Sequence, residues 1–282
     1  MREIVLDGAS LTIDDVVDVS RHGALVSIAD DSRKEITRVR EYIEEHWISP
    51  ESPPTYGFNT GVGKLKYLNI DIDKNEEFQN NIIMSHCGGV GEPAPIEVVR
   101  ATMLVRINAF CHGVSGLRLE VIDRLLLMLN RGVTPVIPYK GSVGASGDLA
   151  PLAHMVSVLV GYKDAEAYYE GERMPAQEAL SKAGITPIEY QLKAKDCLAL
   201  INGTTMFAGL AALNCYDALK LTKLTEISAA LSMEAVRAEM AAFDPRIHEV
   251  RRHKGQIDTA ANIRTLIDGS TRTSEDARAV ML

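Results

Sequence analysis

The most reactive combination of side chains and loose backbone lies mid-chain, in Gly141-Ser142-Val143-Gly144-Ala145-Ser146-Gly147-Asp148 and the apolar run that follows through His154 to Val160. Glycines at 141, 144 and 147 free the backbone for tight turns or positive φ. Asp148 stands where a helix N-cap could accept orphan N–H groups. Ser146 is thereby presented by a constrained loop at a helix start. A plain Gly/Ser turn before a helix accounts for this much. A phosphate-binding loop is disfavoured because the Gly-Lys-Ser/Thr ending is missing. An acyl-transfer serine would sit in a Gly-x-Ser-x-Gly elbow after a strand, whereas the run here is Gly-Ala-Ser-Gly.

Three more stretches carry chemically useful residues. Thr55-Tyr56-Gly57-Phe58-Asn59-Thr60-Gly61-Val62-Gly63-Lys64-Leu65 is a glycine-punctuated loop that is misspaced for a P-loop and ends in Leu65 where Ser or Thr is needed. Ser85-His86-Cys87-Gly88-Gly89-Val90-Gly91-Glu92-Pro93 sets a histidine before a glycine turn, and Leu198 to Thr205 sets Asn202-Gly203 ahead of a long helical pattern. Taken singly, each has a plain structural account: a packed tyrosine, a structural histidine, a helix cap.

Together the four blocks resemble the aromatic amino acid ammonia-lyase family, which includes histidine, phenylalanine and tyrosine ammonia-lyases and related aminomutases. The resemblance implies that Ala145-Ser146-Gly147 cyclises and dehydrates to a methylidene-imidazolone electrophile, with no external cofactor and no metal. The Gly147 nitrogen would attack the Ala145 carbonyl and Ser146 would lose its hydroxyl as water. An unhindered glycine nitrogen, an approachable alanine carbonyl and a serine leaving group suit that chemistry. By the same resemblance Tyr56 is the catalytic base, and His86 contacts the substrate ring, which favours histidine or tyrosine over phenylalanine. Asn202 and Gly63 bind substrate, while Asp148 and Asn59 are supporting residues. The glycines at 57, 61 and 63 imply a mobile or tightly turned lid over the base. A tyrosine near its ordinary pKa of about 10 is poorly poised at neutral pH, so electropositive or hydrogen-bonding neighbours are expected around it.

The resemblance spans nearly the whole chain but only the first half or so of a family member. The remainder would carry the carboxylate-binding arginine, a tyrosine and glutamine block and a later glutamate. Residues 270–278, with Arg272 and Arg278, form a polar tail that does not replace them. A companion chain supplying the C-terminal half, within a higher oligomer such as the family's tetramer, is therefore expected. An ammonia-lyase, an aminomutase and a non-catalytic truncated assembly partner all remain open.

Positioning falls to elements read from periodicity. The pattern predicts a mainly α fold with a loop-rich N-terminal part, 1–94, and a helical body, 95–282, that starts a long-helix bundle. Ile4 to Leu6 reads as extended, with Thr12 or Asp14 capping the next helix. Ser32 to Trp47 reads as a surface helix, followed by helices over 69–84, from 96, over 119–129 and from 149. Ile96, Val99, Met103, Ile107 and Phe110 would face the core. Residues 163–187 read as a hairpin, a short helix and a turn. A helix from about Thr204 could reach Ala242, with an apolar face too long for this chain to cover. Arg246 to Lys254 is a basic segment read as structural or at a subunit contact.

The 282 residues are 46% hydrophobic, 24% charged and only 5% aromatic, so the core must be largely aliphatic. A net charge of −8 argues against a nucleic-acid partner. Four cysteines without C-x-x-C or zinc spacing suit free thiols in a reducing compartment. With no apolar leader visible and the uncharged stretch 197–216 broken by Asn202, Gly203 and Asn214, the expectation is a cytoplasmic protein without a membrane span.

Overall fold

A computed structural model of the chain describes residues 2–49, 51–186 and 192–274, arranged as two compact units, Met1–Asn214 and Cys215–Leu282. The fold is mainly α, with short strand pairs tying helices together. In the first unit, β1 (Glu3–Leu6), α1 (Ile13–His22) and β2 (Leu25–Ile28) form a parallel β-α-β ribbon. Thr12 caps α1 in a reciprocal capping box with Asp15, which settles the choice between Thr12 and Asp14. The ribbon has few neighbours of its own kind, so side chains stand in for missing strands. The Asn130 amide accepts from Val26 N at 2.9 Å and donates to Val26 O at 2.8 Å. Asn108 likewise accepts from Gly8 N.

Helices α2 (Asp30–Trp47), α3 (Asn75–His86), α4 (Ile96–Phe110) and α5 (Leu119–Asn130) follow, with β3 (Val90–Pro93) between α3 and α4. Met103, Leu104, Ile107, Phe110, Ile122, Leu125 and Leu129 are fully buried and make the core aliphatic, as the composition requires. Ile96 departs from the helical-period reading: at the first residue of α4 it is 42% exposed. A residue in first position has no preceding helical turn for its side chain to lean against.

Strands β4 (Thr134–Pro135) and β5 (Pro138–Lys140) lead to α6 (Leu149–Leu159). After α6 come the hairpin β6 (Glu166–Tyr169) and β7 (Glu172–Pro175), then α7 (Ala176–Lys182). The close of the 163–187 reading, at Pro187, lies outside the described residues. Short α8 (Asp196–Ile201) precedes α9 (Thr205–Ala235). No helix among the described residues is long and apolar enough to cross a membrane.

The second unit adds α10 (Pro245–Arg251) and α11 (Lys254–Ile267) and packs Ala230, Ile263 and Ile267 with Met233 and Phe243. Helix α9 stops at Ala235 and does not reach Ala242. Arg237 is left-handed (φ 53), Ala238 N donates to Met233 O and Arg237 N to Glu234 O, the paired bonds of a Schellman stop. Neither Gly nor Pro marks that stop, so composition does not reveal it. Arg272 donates to Glu234 O and so covers the same helix end, while Arg278 lies outside the described residues. In the basic segment, Asp244 caps α10 through Arg246 N and pairs with the Arg246 side chain, and His248 bonds Gln256. The Arg246 guanidinium holds the Asp244 carboxyl down at about 2.

One ionic cluster fixes where α8 begins. Asp196, 0% exposed, sits between Arg118 (2.6 Å) and Arg40 (3.5 Å), and Arg40 also donates to Gly116 O and Ala194 O. Replacing Asp196 with Ala removes the fully buried carboxylate between two guanidiniums and leaves them only the more exposed Glu44 and Glu120, so urea unfolding should show a loss of about 3–5 kcal/mol. An unchanged midpoint would mean that the cluster does not hold α8.

Candidate active site

The mid-chain loop is gripped by backbone. Gly147 and Gly203 form an isolated parallel bridge, and Asp148 N donates to Gly203 O at 2.7 Å. Gly147 is left-handed (φ +94), and a Cβ there would lie 2.5 Å from the Gly203 carbonyl carbon. Gly203 in turn leaves no room for a Cβ, because the Arg106 guanidinium lies against it. Two backbones and a cation are therefore stacked with no side chain between them. Ala145 and Ser146, beyond the bridge, are exposed.

Asp148 precedes α6 but makes no side-chain bond to that helix. Its carboxylate accepts from Phe207 N (3.0 Å) and from Ser142 Oγ (3.0 Å). The orphan N–H it satisfies belongs to the first turn of α9, 59 residues away. The capping expected of Asp148 is thus real but directed at a different helix, because the 147–203 bridge brings α9's start beside it. Asn202, the residue read as a cap for that helix, instead ends α8, with Nδ2 donating to Leu198 O at 3.1 Å.

Arg106, on α4, is an interhelical group. Its guanidinium donates to the carbonyls of Leu200 (3.0 Å), Ala199 and Asn202 (2.6 Å). Burial pushes it down to about 10, so it stays cationic at neutral pH. Arg106 and Asn202 line a cavity of about 360 Å³ together with Tyr56, Lys195 and Leu198. Lys195, left-handed at φ 76 before α8, is also pushed down by burial. Among the described residues, two cations and no carboxylate line this cavity, which therefore favours negative charge.

The Tyr56 loop is tightly turned where glycine permits it. Gly57 (φ +76) approaches Leu198 so closely that a Cβ would run into its side chain. Gly63 (φ +59) directs its N–H to Tyr56 Oη at 3.1 Å. Asn59 braces the loop, accepting from Thr55 N and donating to Pro53 O. Tyr56 is half exposed.

His86 ends α3. Its Nδ1 lies 2.8 Å from Ile82 O, and since a carbonyl only accepts, Nδ1 carries the proton. Nε2 is left as an acceptor. The following turn enters β3, which pairs antiparallel with β5 (Val90 with Lys140, Pro93 with Pro138), and β5 leads directly into Gly141. The His86 block, which enters β3, and the Ala-Ser-Gly loop, which leaves β5, are thus held at the same end of one ribbon. Cys87 bonds Ser157 and burial pushes its thiol up to about 11, leaving it unreactive.

Two groupings result. Tyr56, Asn202 and Gly63 gather around the cationic cavity, and Asn202-Gly203 joins that cavity to Gly147-Asp148. Among the described residues no hydrogen bond links Ser146 to Tyr56 or His86. Sequence reasoning missed Lys195 and the part Arg106 plays, since neither sits in a motif that marks it.

The sequence matches the profile of the aromatic amino acid lyase family over residues 11–280, and the chain belongs to that family. It is 46% identical over 275 residues to a histidine ammonia-lyase of Alkaliphilus oremlandii, covering 98% of this chain and 53% of that protein. A histidine ammonia-lyase of Treponema denticola is 46% identical over 271 residues, with 96% and 52% covered. Among solved structures, tyrosine aminomutase from Streptomyces globisporus superposes with a TM-score of 0.91 at 37% identity, over 99% of this chain and 52% of that one. Histidine ammonia-lyase from Trypanosoma cruzi gives 0.85 at 36%, over 93% and 50%. The chain spans about half the length of the curated relatives it matches.

Gly147→Ala forces a side chain into the Gly203 backbone at a positive φ. It should lower stability by about 1–3 kcal/mol in denaturant titration. Wild-type stability in that variant would show that the two backbones are free to part.

Proposed function

We propose that this chain forms the N-terminal half, or an equivalent subunit, of an ammonia-lyase acting on an aromatic L-amino acid. The observation that carries the reading is the cation-lined cavity holding Tyr56 and Asn202, whose Asn202-Gly203 segment grips the Ala145-Ser146-Gly147 loop. The loop suits cyclisation: Gly147 is held without room for a Cβ, and Ser146 stands exposed beyond it. Once cyclised, residues 145–147 would supply a methylidene-imidazolone, an electrophile made from the chain itself.

The other residues have roles set by their hydrogen bonds. Tyr56 would take the β proton of the substrate, ammonia leaving the α carbon with its bonding pair as the double bond forms. Gly63 N–H, already on Tyr56 Oη, holds that oxygen in place. Arg106 and Lys195 favour negative charge developing in the cavity. Nδ2 of Asn202 gives one of its two N–H groups to Leu198 O, which leaves Oδ1 to accept from the substrate ammonium and the second N–H to meet its carboxylate region. His86 Nε2 can accept the N–H of an imidazole or the O–H of a phenol. A phenyl ring offers neither, which favours histidine or tyrosine. The part up to residue 94 brings the base and the ring contact, and the part from 95 brings the electrophile and Asn202.

The half-length match supports a companion that provides the rest of the site. So does helix α9, where Leu219, Leu221, Leu224 and Leu231 are each at least 60% exposed. The likeness to a tyrosine aminomutase favours a second reading, in which the same groups return ammonia at the β carbon.

Mature protein should weigh two waters less than its sequence, with the deficit confined to the peptide carrying 145–147. A full-weight peptide from companion-bound material would end the proposal. In that complex, Tyr56→Phe should keep the deficit yet lose roughly a hundred- to ten-thousand-fold in turnover of histidine or tyrosine, followed by product chromatography. Unchanged turnover would remove Tyr56 as the base.

A further inference from the structure

His154, on α6, is used by none of the steps above, yet it touches two of the blocks that those steps depend on. Gly89 N donates to its Nε2 at 3.1 Å. A backbone N–H can only donate, so Nε2 holds a lone pair and the proton sits on Nδ1. A Cβ on Gly89 would lie 2.9 Å from that nitrogen and 3.2 Å from Pro138 Cβ. A Cβ on Gly141 would lie 3.0 Å from Gly89 Cα and 3.2 Å from Ala150 Cβ. The turn after His86, the approach to the Ala-Ser-Gly loop and the first turns of α6 are therefore nested on one another.

The ribbon alone does not fix this nesting. Its register shifts between Val90 and Pro93, so the β3–β5 ladder leaves the position of the turn undetermined. The imidazole supplies the missing constraint from a rigid base, since Leu152, Ala153, Met155 and Val156 are fully buried and Ser157 Oγ donates to His154 O. We propose that His154 is a positioning residue: as a neutral acceptor for the Gly89 N–H it sets where His86 stands relative to residues 145–147. The consequence for substrate rests on the reading of His86 as the ring contact.

The groups around His154 leave it neutral. From α3 come the Cys87 thiol, pushed up by burial, and His86, whose Nδ1 is turned to Ile82 O. From α8 comes Cys197, also pushed up by burial, with Asp196 held between Arg118 and Arg40. From β5 comes Lys140, whose hydrocarbon lies against Gly91. Burial alone moves His154, and it moves it down from the ordinary histidine value. The bond is accordingly whole above that ordinary value of about 6.5. It is lost as pH falls toward the lowered one, when an N–H would face an N–H.

The test compares His154→Gln, whose Oε1 can take the place of Nε2, with His154→Leu, which has no acceptor. Exchange of the Gly89 amide, followed by NMR on the purified chain, should speed up roughly tenfold in H154L and return to near the wild-type rate in H154Q, with α6 core amides still protected. In wild type the protection of the same amide should be kept at the ordinary histidine value of about 6.5 and lost only as pH falls further, toward the lowered one, and in H154Q it should not be lost. Equal exchange in the two variants, or no pH response in wild type, overturns the pin. In the companion-bound enzyme, KM for histidine or tyrosine should rise roughly tenfold in H154L with kcat little changed, and H154Q should restore it. An unchanged KM in H154L overturns the positioning role. If His86→Ala also leaves KM unchanged, the ring-contact reading is what has failed, and the exchange data still decide the pin.

Discussion

The contact on which the rest depends is the meeting of two glycine backbones, Gly147 and Gly203. Neither has room for a β carbon, and behind them the Arg106 guanidinium closes the stack. Through this contact the loop bearing Ser146 is fixed to the turn bearing Asn202, and Asp148 is brought within reach of the α9 N-terminus. A loop gripped in this way loses conformational freedom at Gly147 while Ala145 and Ser146 remain exposed. Proximity of a backbone nitrogen to a carbonyl two residues earlier needs such a grip, because an unconstrained glycine-rich loop spreads over many conformations.

Much of the scaffolding around that contact is made by polar side chains bonded to backbone. Arg106 holds the end of α8, Arg100 donates to Val19 O and Leu129 O, and Asn130 completes the edge of β2. Chains with little sheet have many helix ends, and each leaves carbonyls without intrahelical partners. Burying a guanidinium against three carbonyls satisfies them and leaves the positive charge uncancelled. At Arg106 that residual charge lines the cavity shared with Tyr56. A structural device thus contributes the electropositive surroundings that a tyrosine base calls for.

The helices were legible in the sequence because apolar residues recur at helical spacing, and the glycine blocks were legible because their residues are unusual. What could not be read were contacts across long separations. Asp148 was recognised as a cap, but its partner Phe207 depends on a bridge that no local pattern encodes. The β3–β5 ribbon, made of short Gly- and Pro-bearing strands, carries no period-2 signal to detect. The stop of α9 at Arg237 lacks the glycine that would have announced it. Arg106 sits in an apolar helix like any interhelical arginine, and only the fold shows that it reaches α8.

The residues of the candidate site and the exposed leucines of α9 lie in different parts of the chain. Tyr56, His86, the 145–147 loop and Asn202 all fall within the unit ending at Asn214, where the bridge, the ribbon and the Asp196 cluster are internal to it. The exposed leucines from 219 to 231 lie on α9 beyond that boundary. Covering one leucine contributes about 1.5–3 kcal/mol, so several along one helix supply a strong drive for association. Association of that kind would act on α9 without having to build the loops. The geometry of the candidate site within this chain can therefore be set by the packing of the unit that ends at Asn214.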